Sequence, residues 1–181
     1  MNLYTNILFL HFLGMAGLFV GYGLEWTATA LLHEATTAQA VRNWLGTYRL
    51  SLPLSGPSLL LLIFTGGYMA GVTGKSKEGW VLATALGIVV ALVIGFALVM
   101  PRMKAIKAGL SAGDAALSAD ALAQVQNPVI ITLIRISAFL ALGIVYLMTT
   151  KPPIGTSFAV LIAAVILGAI FSASVWSKKA A

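Results

Sequence analysis

The chain has 181 residues, 60% hydrophobic and only 9% charged, with a formal net charge of +6 and a mean hydropathy of +0.98. A soluble domain carries about a quarter charged residues, so most side chains here must face lipid or one another, and a water-soluble globule is excluded. The absence of cysteine excludes disulfides, thiolate-held iron–sulfur clusters and CxxCH haem attachment.

Five long apolar stretches fill most of the chain, at residues 3–23, 59–70, 80–100, 129–148 and 158–170, each extendable into its flanks. A hydrocarbon core of about 30 Å takes about 20 apolar residues per helical crossing. Backbone polar groups in lipid must be satisfied within the segment, so each crossing is a helix. The expected fold is all-α: a polytopic transmembrane bundle of five helices in a single domain spanning 1–181. The helices are expected at about 4–32, 52–74, 79–101, 128–149 and 155–177.

The first helix has no Lys or Arg in residues 1–10. It therefore lacks the basic start of a cleaved signal, despite Ala28-Thr29-Ala30, and reads as a retained span. At 100° per residue, His11, Gly14, Gly17, Leu18, Gly21, Glu25, Ala28 and Leu32 share one face. Gly17 and Gly21 form a GxxxG pair within it, and such small residues let a neighbouring backbone approach closely. The glycine face is thus a packing seam, open to another helix of the chain, a second copy or a membrane partner.

Residues 34–50 place Val41, Trp44, Leu45 and Tyr48 beside Arg42 and Arg49. That spacing predicts a short amphipathic helix lying on the membrane surface. The second helix opens with Pro53 and Pro57 among Ser51, Ser55 and Ser58, which are able to satisfy freed backbone groups. The tight turn at 74–78 predicts an antiparallel hairpin of the second and third helices, and Lys151-Pro152-Pro153 predicts another of the fourth and fifth. Residues 102–126 read as an amphipathic, Ala-rich connector with Ser111, Asp114, Ser118 and Asp120 as helix caps.

An odd number of crossings puts the ends of the chain on opposite sides. One side then carries Arg42, Arg49, Arg102, Lys104, Lys107, Lys178 and Lys179, and the other Lys75, Lys77 and Lys151. The positive-inside rule makes the richer side cytoplasmic, giving N-out/C-in topology. Tyr4, Tyr68, Trp80 and Tyr146 then fall at one interface and Trp26, Trp44, Tyr48 and Trp176 at the other, as aromatic belts do. Basic residues in short loops beside spans are topology signals or headgroup contacts, so nucleic acid is not an expected partner and the lipid bilayer is.

Ionisable groups inside spans are functional-site hypotheses by default. Glu25 and Arg135 fall at nearly the same depth, which predicts an ion pair between them, with Arg49 or Arg42 as the alternative partner of Glu25. His11 is a candidate metal or haem ligand, and Met15 lies one turn on along the same helix, a thioether suited to soft Cu(I). Bis-His haem ligation within the membrane is excluded, because His33 is about 33 Å away along the helix. No cofactor is therefore predicted outright. Walker, HExxH, GxSxG and dinucleotide patterns are all absent, so no reaction is identified and an enzyme is not the preferred reading.

The segment Leu8-Phe9-Leu10-His11-Phe12-Leu13-Gly14 resembles the first helix of a loose group of small bacterial membrane proteins. The group includes the copper-resistance D family, membrane protoporphyrinogen oxidases and uncharacterised relatives. The resemblance implies a bacterial inner (plasma) membrane. In the oxidases it would link His11 to haem together with a lysine in another helix, and this chain has no lysine inside a span. Three functions follow: binding or moving a small or lipid-like ligand in a cavity reaching Glu25 and Arg135, a haem or copper redox role through His11, or a structural subunit joined through the glycine face. The first is preferred.

Overall fold

The computed structural model describes residues 2–110 and 116–179, the side chains of Lys178 and Lys179 excepted. Helix α1 spans Leu3–His33, and Asn2 caps it by accepting the Tyr4 N–H through Oδ1 at 3.2 Å. Helix α2 spans Ala38–Val72 and is capped by Thr37, whose hydroxyl accepts the Ala40 N–H. Helix α3 (Gly79–Val93) passes through a π-helical stretch (Ile94–Val99) into α4 (Met100–Ala108). The short α5 (Ala119–Val125) precedes α6 (Pro128–Thr150) and α7 (Ile154–Lys179). Among the described residues there is no β-strand, only an isolated bridge between Thr37 and Ala116. Five helices among the described residues are long and apolar enough to cross a membrane. Their outward faces carry exposed Phe9, Phe12, Phe64, Phe96 and Ile162, side chains that water would not tolerate in such number.

The segment at 34–50 does not lie apart on a membrane surface. From Ala38 onward it is the first part of α2, which continues unbroken through Pro53 and Pro57. At 35 residues, α2 is about 52 Å long, well beyond the hydrocarbon thickness of about 30 Å. Its Val41, Leu45 and Tyr48 are buried against Ala28 and Leu32 of α1, Met103 and Ile106 of α4, and Val125 of α5. Protein packing, not headgroups, covers the amphipathic stripe. A second, smaller core joins Ala83, Leu140, Leu147 and Leu161 between α3, α6 and α7.

In the connector, Ser118 caps α5, accepting the Ala121 N–H at 3.3 Å, and Asp120 lies in its first turn. Ser111 and Asp114 lie outside the described residues. The π-helical stretch ends two residues before Pro101, which has no N–H to give the α-helical ladder. Helix α6 ends at Lys151 in the left-handed conformation (φ 50°), with Pro152 and Pro153 beyond.

Partner choice departs from the simple hairpin expectation. The α6–α7 pair packs closely, but α2 packs on α1, and α3 packs on α6 and α7. Helices α2 and α3 hardly touch, although a tight turn joins them. The space left between them becomes the cavity described below.

Candidate ligand cavity and intramembrane polar sites

The α1 seam is filled by α2 of the same chain. A Cβ added to Gly14 would stand 3.1 Å from the Ser58 carbonyl oxygen and 3.2 Å from Leu62 Cγ. At Gly17 it would collide with Ser58 Oγ, and at Gly21 with Ser55 Oγ. Serine hydroxyls thus occupy the volume that side chains on α1 would need. The glycine face is not available to a second copy or a partner. A registered ladder results: His11 opposite Thr65, Gly17 opposite Ser58, Gly21 opposite Ser55, and Glu25 opposite Ser51.

Glu25 is buried, and its Oε1 accepts from Ser55 Oγ at 2.8 Å and from Ser51 Oγ at 3.1 Å. Ser51 Oγ also lies 2.6 Å from the Tyr48 carbonyl, so two acceptors compete for one serine proton. The prolines sharpen this polar spot. Pro53 and Pro57 cannot donate to the carbonyls of Arg49 and Pro53, which opens the α2 ladder where Glu25 docks.

The expected Glu25–Arg135 ion pair does not form. Arg135 reaches the other way: its Nη1 donates to the Phe171 carbonyl on α7 at 2.7 Å, and its guanidinium lies 5.2 Å from the Trp26 ring centroid. Arg49, the alternative partner, is on the exposed face of α2, while Arg42 donates to Gln39 Oε1. Shared depth does not imply shared azimuth: Glu25 faces α2, whereas the Trp26 ring beside it meets Arg135.

His11 is buried on α1, with Nδ1 2.8 Å from Thr65 Oγ1. Thr65 Oγ1 also lies 2.5 Å from the Leu61 carbonyl, which can only accept, so the single threonine proton goes there. The histidine therefore donates from Nδ1, and in the neutral ring Nε2 keeps its lone pair. The Cε1 and Nδ1 edge is turned towards Gly66 and Thr65 on α2. That leaves Nε2 for the cavity that the ring lines.

The cavity has a volume of about 60 Å³ and lies among α1, α2, α3 and α6. His11, Met15, Phe19 and Tyr22 line it from α1, Leu59 and Leu62 from α2, Ile88 and Ala91 from α3, and Ile144 and Met148 from α6. It reaches neither Glu25 nor Arg135, so the expected coincidence of cavity and charged pair is corrected. Three lining or supporting groups escape sequence reading. Thr65 is one hydroxyl among several, Tyr22 falls at the edge of the α1 face beside His11 and carries no charge to single it out, and Met148 is an ordinary apolar residue until α6 is folded beside α1. Removing the acceptor should be measurable: Thr65→Val should lower stability by about 1 kcal/mol, read as a reduced thermal midpoint in detergent. An unchanged midpoint would mean that the His11–Thr65 bond does not form.

Among the described residues, five apolar helices, a buried carboxyl held by serines and a nearly apolar cavity define a polytopic integral membrane protein. The family model described as "Predicted integral membrane protein (DUF2269)" matches residues 5–152, and the chain belongs to that family. No curated protein matches the chain, and no solved structure does.

Proposed function

We propose that this protein binds a small apolar or lipid-like molecule bearing one hydrogen-bond donor, in the cavity among α1, α2, α3 and α6. The observation that carries this reading is the pairing of a largely apolar wall with an oriented acceptor, His11 Nε2. Ligand sites are typically apolar enclosures with a few placed polar groups. The volume suits a small molecule or the end of a chain entering from lipid. N-out/C-in topology in a bacterial inner membrane is part of the proposal, resting on the basic residues gathered at the α4 end of the bundle.

Filling the cavity tests the reading. Organic extracts of detergent-purified protein should contain an apolar species, enriched over empty micelles, that is lost in Ala91→Phe at equal folded yield. Extracts that do not differ between the two proteins would overturn it.

A second reading has its own observation. His11, Met15 and Met148 share the cavity wall, one imidazole and two thioethers, a donor set suited to a soft ion such as Cu(I). It agrees with the resemblance of the first helix to the copper-resistance D group. Metal analysis of wild type against Met148→Leu separates it from the first reading. Haem is the poorer fit, because a cavity of about 60 Å³ has no room for a porphyrin ring, whereas it admits one small molecule or a chain end.

A further inference from the structure

We propose that Arg135 holds the phosphate of an anionic phospholipid at the Trp176 end of the bundle. Among the described residues no carboxylate pairs with it, since Glu25 is engaged by Ser51 and Ser55. An intramembrane cation without an internal counter-charge has one within reach at the headgroups.

The guanidinium is held in place before any ligand arrives. It lies against Trp26, which is braced by Phe139 at 6.4 Å, itself braced by Phe171 at 5.0 Å. Of the five N–H donors of an arginine, one on Nη1 goes to the Phe171 carbonyl, and the buried Nε–H finds no acceptor. The remaining three are on the Nη atoms of a half-buried side chain. A planar fork with free Nη donors matches the geometry of a phosphate.

The surroundings identify the source of that phosphate. Phe171 is 57% exposed and Trp176 49% exposed, so the patch faces lipid tails, not an aqueous pocket. The Trp176 indole donates to Thr132 Oγ1 at 3.0 Å, and an indole of this kind marks the headgroup level. Arg135 is one turn deeper on α6, within reach of the headgroups by extending along the apolar surface. Arg49, Arg102, Lys104 and Lys107 at the same end add a positive field that favours acidic over zwitterionic headgroups.

Thermal unfolding of the purified full chain would test this. Short-chain phosphatidylglycerol, short-chain phosphatidylcholine and inorganic phosphate are titrated into wild type, Arg135→Gln, Arg135→Lys and Lys77→Gln. In wild type phosphatidylglycerol should raise the midpoint well beyond phosphatidylcholine, and inorganic phosphate should leave it unchanged. The apparent affinity for phosphatidylglycerol should fall about tenfold in Arg135→Gln and stay near wild type in Lys77→Gln, a charge change in the turn between α2 and α3 at the other end of the bundle. The comparison is the lipid-induced shift within each variant, because losing the Phe171 bond lowers the starting midpoint as well. Should Arg135→Gln not fold, Arg135→Lys carries the test, retaining charge but losing the fork, with weaker phosphatidylglycerol binding expected. Equal shifts with the two lipids, an equal response to inorganic phosphate, or a full phosphatidylglycerol effect without Arg135 would each overturn the proposal.

Discussion

Gly168→Ala should destabilise the bundle by about 3 kcal/mol, the upper part of the range for overpacking. A Cβ there would stand 2.6 Å from Ile136 Cα and 2.9 Å from its backbone nitrogen. Backbone atoms cannot rotate aside, so α7 must move off α6. Phe171, less than one turn on, carries the carbonyl that Arg135 holds, and Ser172 and Leu161 nearby are buried. The added methyl therefore breaks a hydrogen bond as well as a packed surface. Gly67→Ala and Gly71→Ala meet nothing within 4 Å and serve as controls, with no loss and up to about 1 kcal/mol gained in helix propensity. Circular dichroism melts in one detergent would decide. A Gly168→Ala midpoint equal to the controls would show that α6 and α7 do not approach as closely as described.

The second large effect lies in the α1–α2 seam and discriminates among its glycines. Gly17→Ala should cost about 1–3 kcal/mol, because the new methyl takes the place of Ser58 Oγ. Ser58→Ala should restore stability in the double variant, since the Ser58 Cβ would remain at an ordinary 3.4 Å. Gly14→Ala should not be rescued in the same way, because it meets the Ser58 carbonyl oxygen at 3.1 Å and Leu62 Cγ at 3.2 Å. Gly21→Ala adds a distinct penalty by displacing the Ser55 hydroxyl that serves Glu25. The double-mutant cycle isolates the contact. Additive losses at Gly17 and Ser58 would mean that the two residues do not oppose each other.

Much of the site could be read along α1 because one helix carries its own geometry. The spacing of His11, Gly14, Gly17, Gly21 and Glu25 puts them on one face whatever the neighbours do, and all but the half-buried Gly17 are buried there. Gly79 and Gly168 gave no such signal. Each is an isolated glycine, and its need for close approach appears only once Ile154 or Ile136 is placed against it. Glu25 and Arg135 misled for a related reason. Rise along a helix gives depth from residue number, but pairing also needs the rotation of two different helices. Glu25 turns to the α2 serines, and Arg135 turns to Phe171 and Trp26.

The amphipathic stripe of Val41, Leu45 and Tyr48 was equally ambiguous. Periodicity states that one face seeks an apolar surface but not whether lipid or protein supplies it. The ends of α1 and α4 supply it here, so the surface helix and the second span are one α2.

The amino-acid sequence by itself determined the solvent of this protein, its helical form and the polar face of its first span, because backbone satisfaction in lipid and the 100° helical period are local constraints. Tertiary structure alone decided which helices meet, that α2 leaves α3 to open a cavity at His11, and that Arg135 has no acidic partner among the described residues. Between apolar helices in lipid, burial favours no particular neighbour. The choice rests on fractions of an ångström at glycines and on single hydrogen bonds, and neither is visible until the helices are assembled.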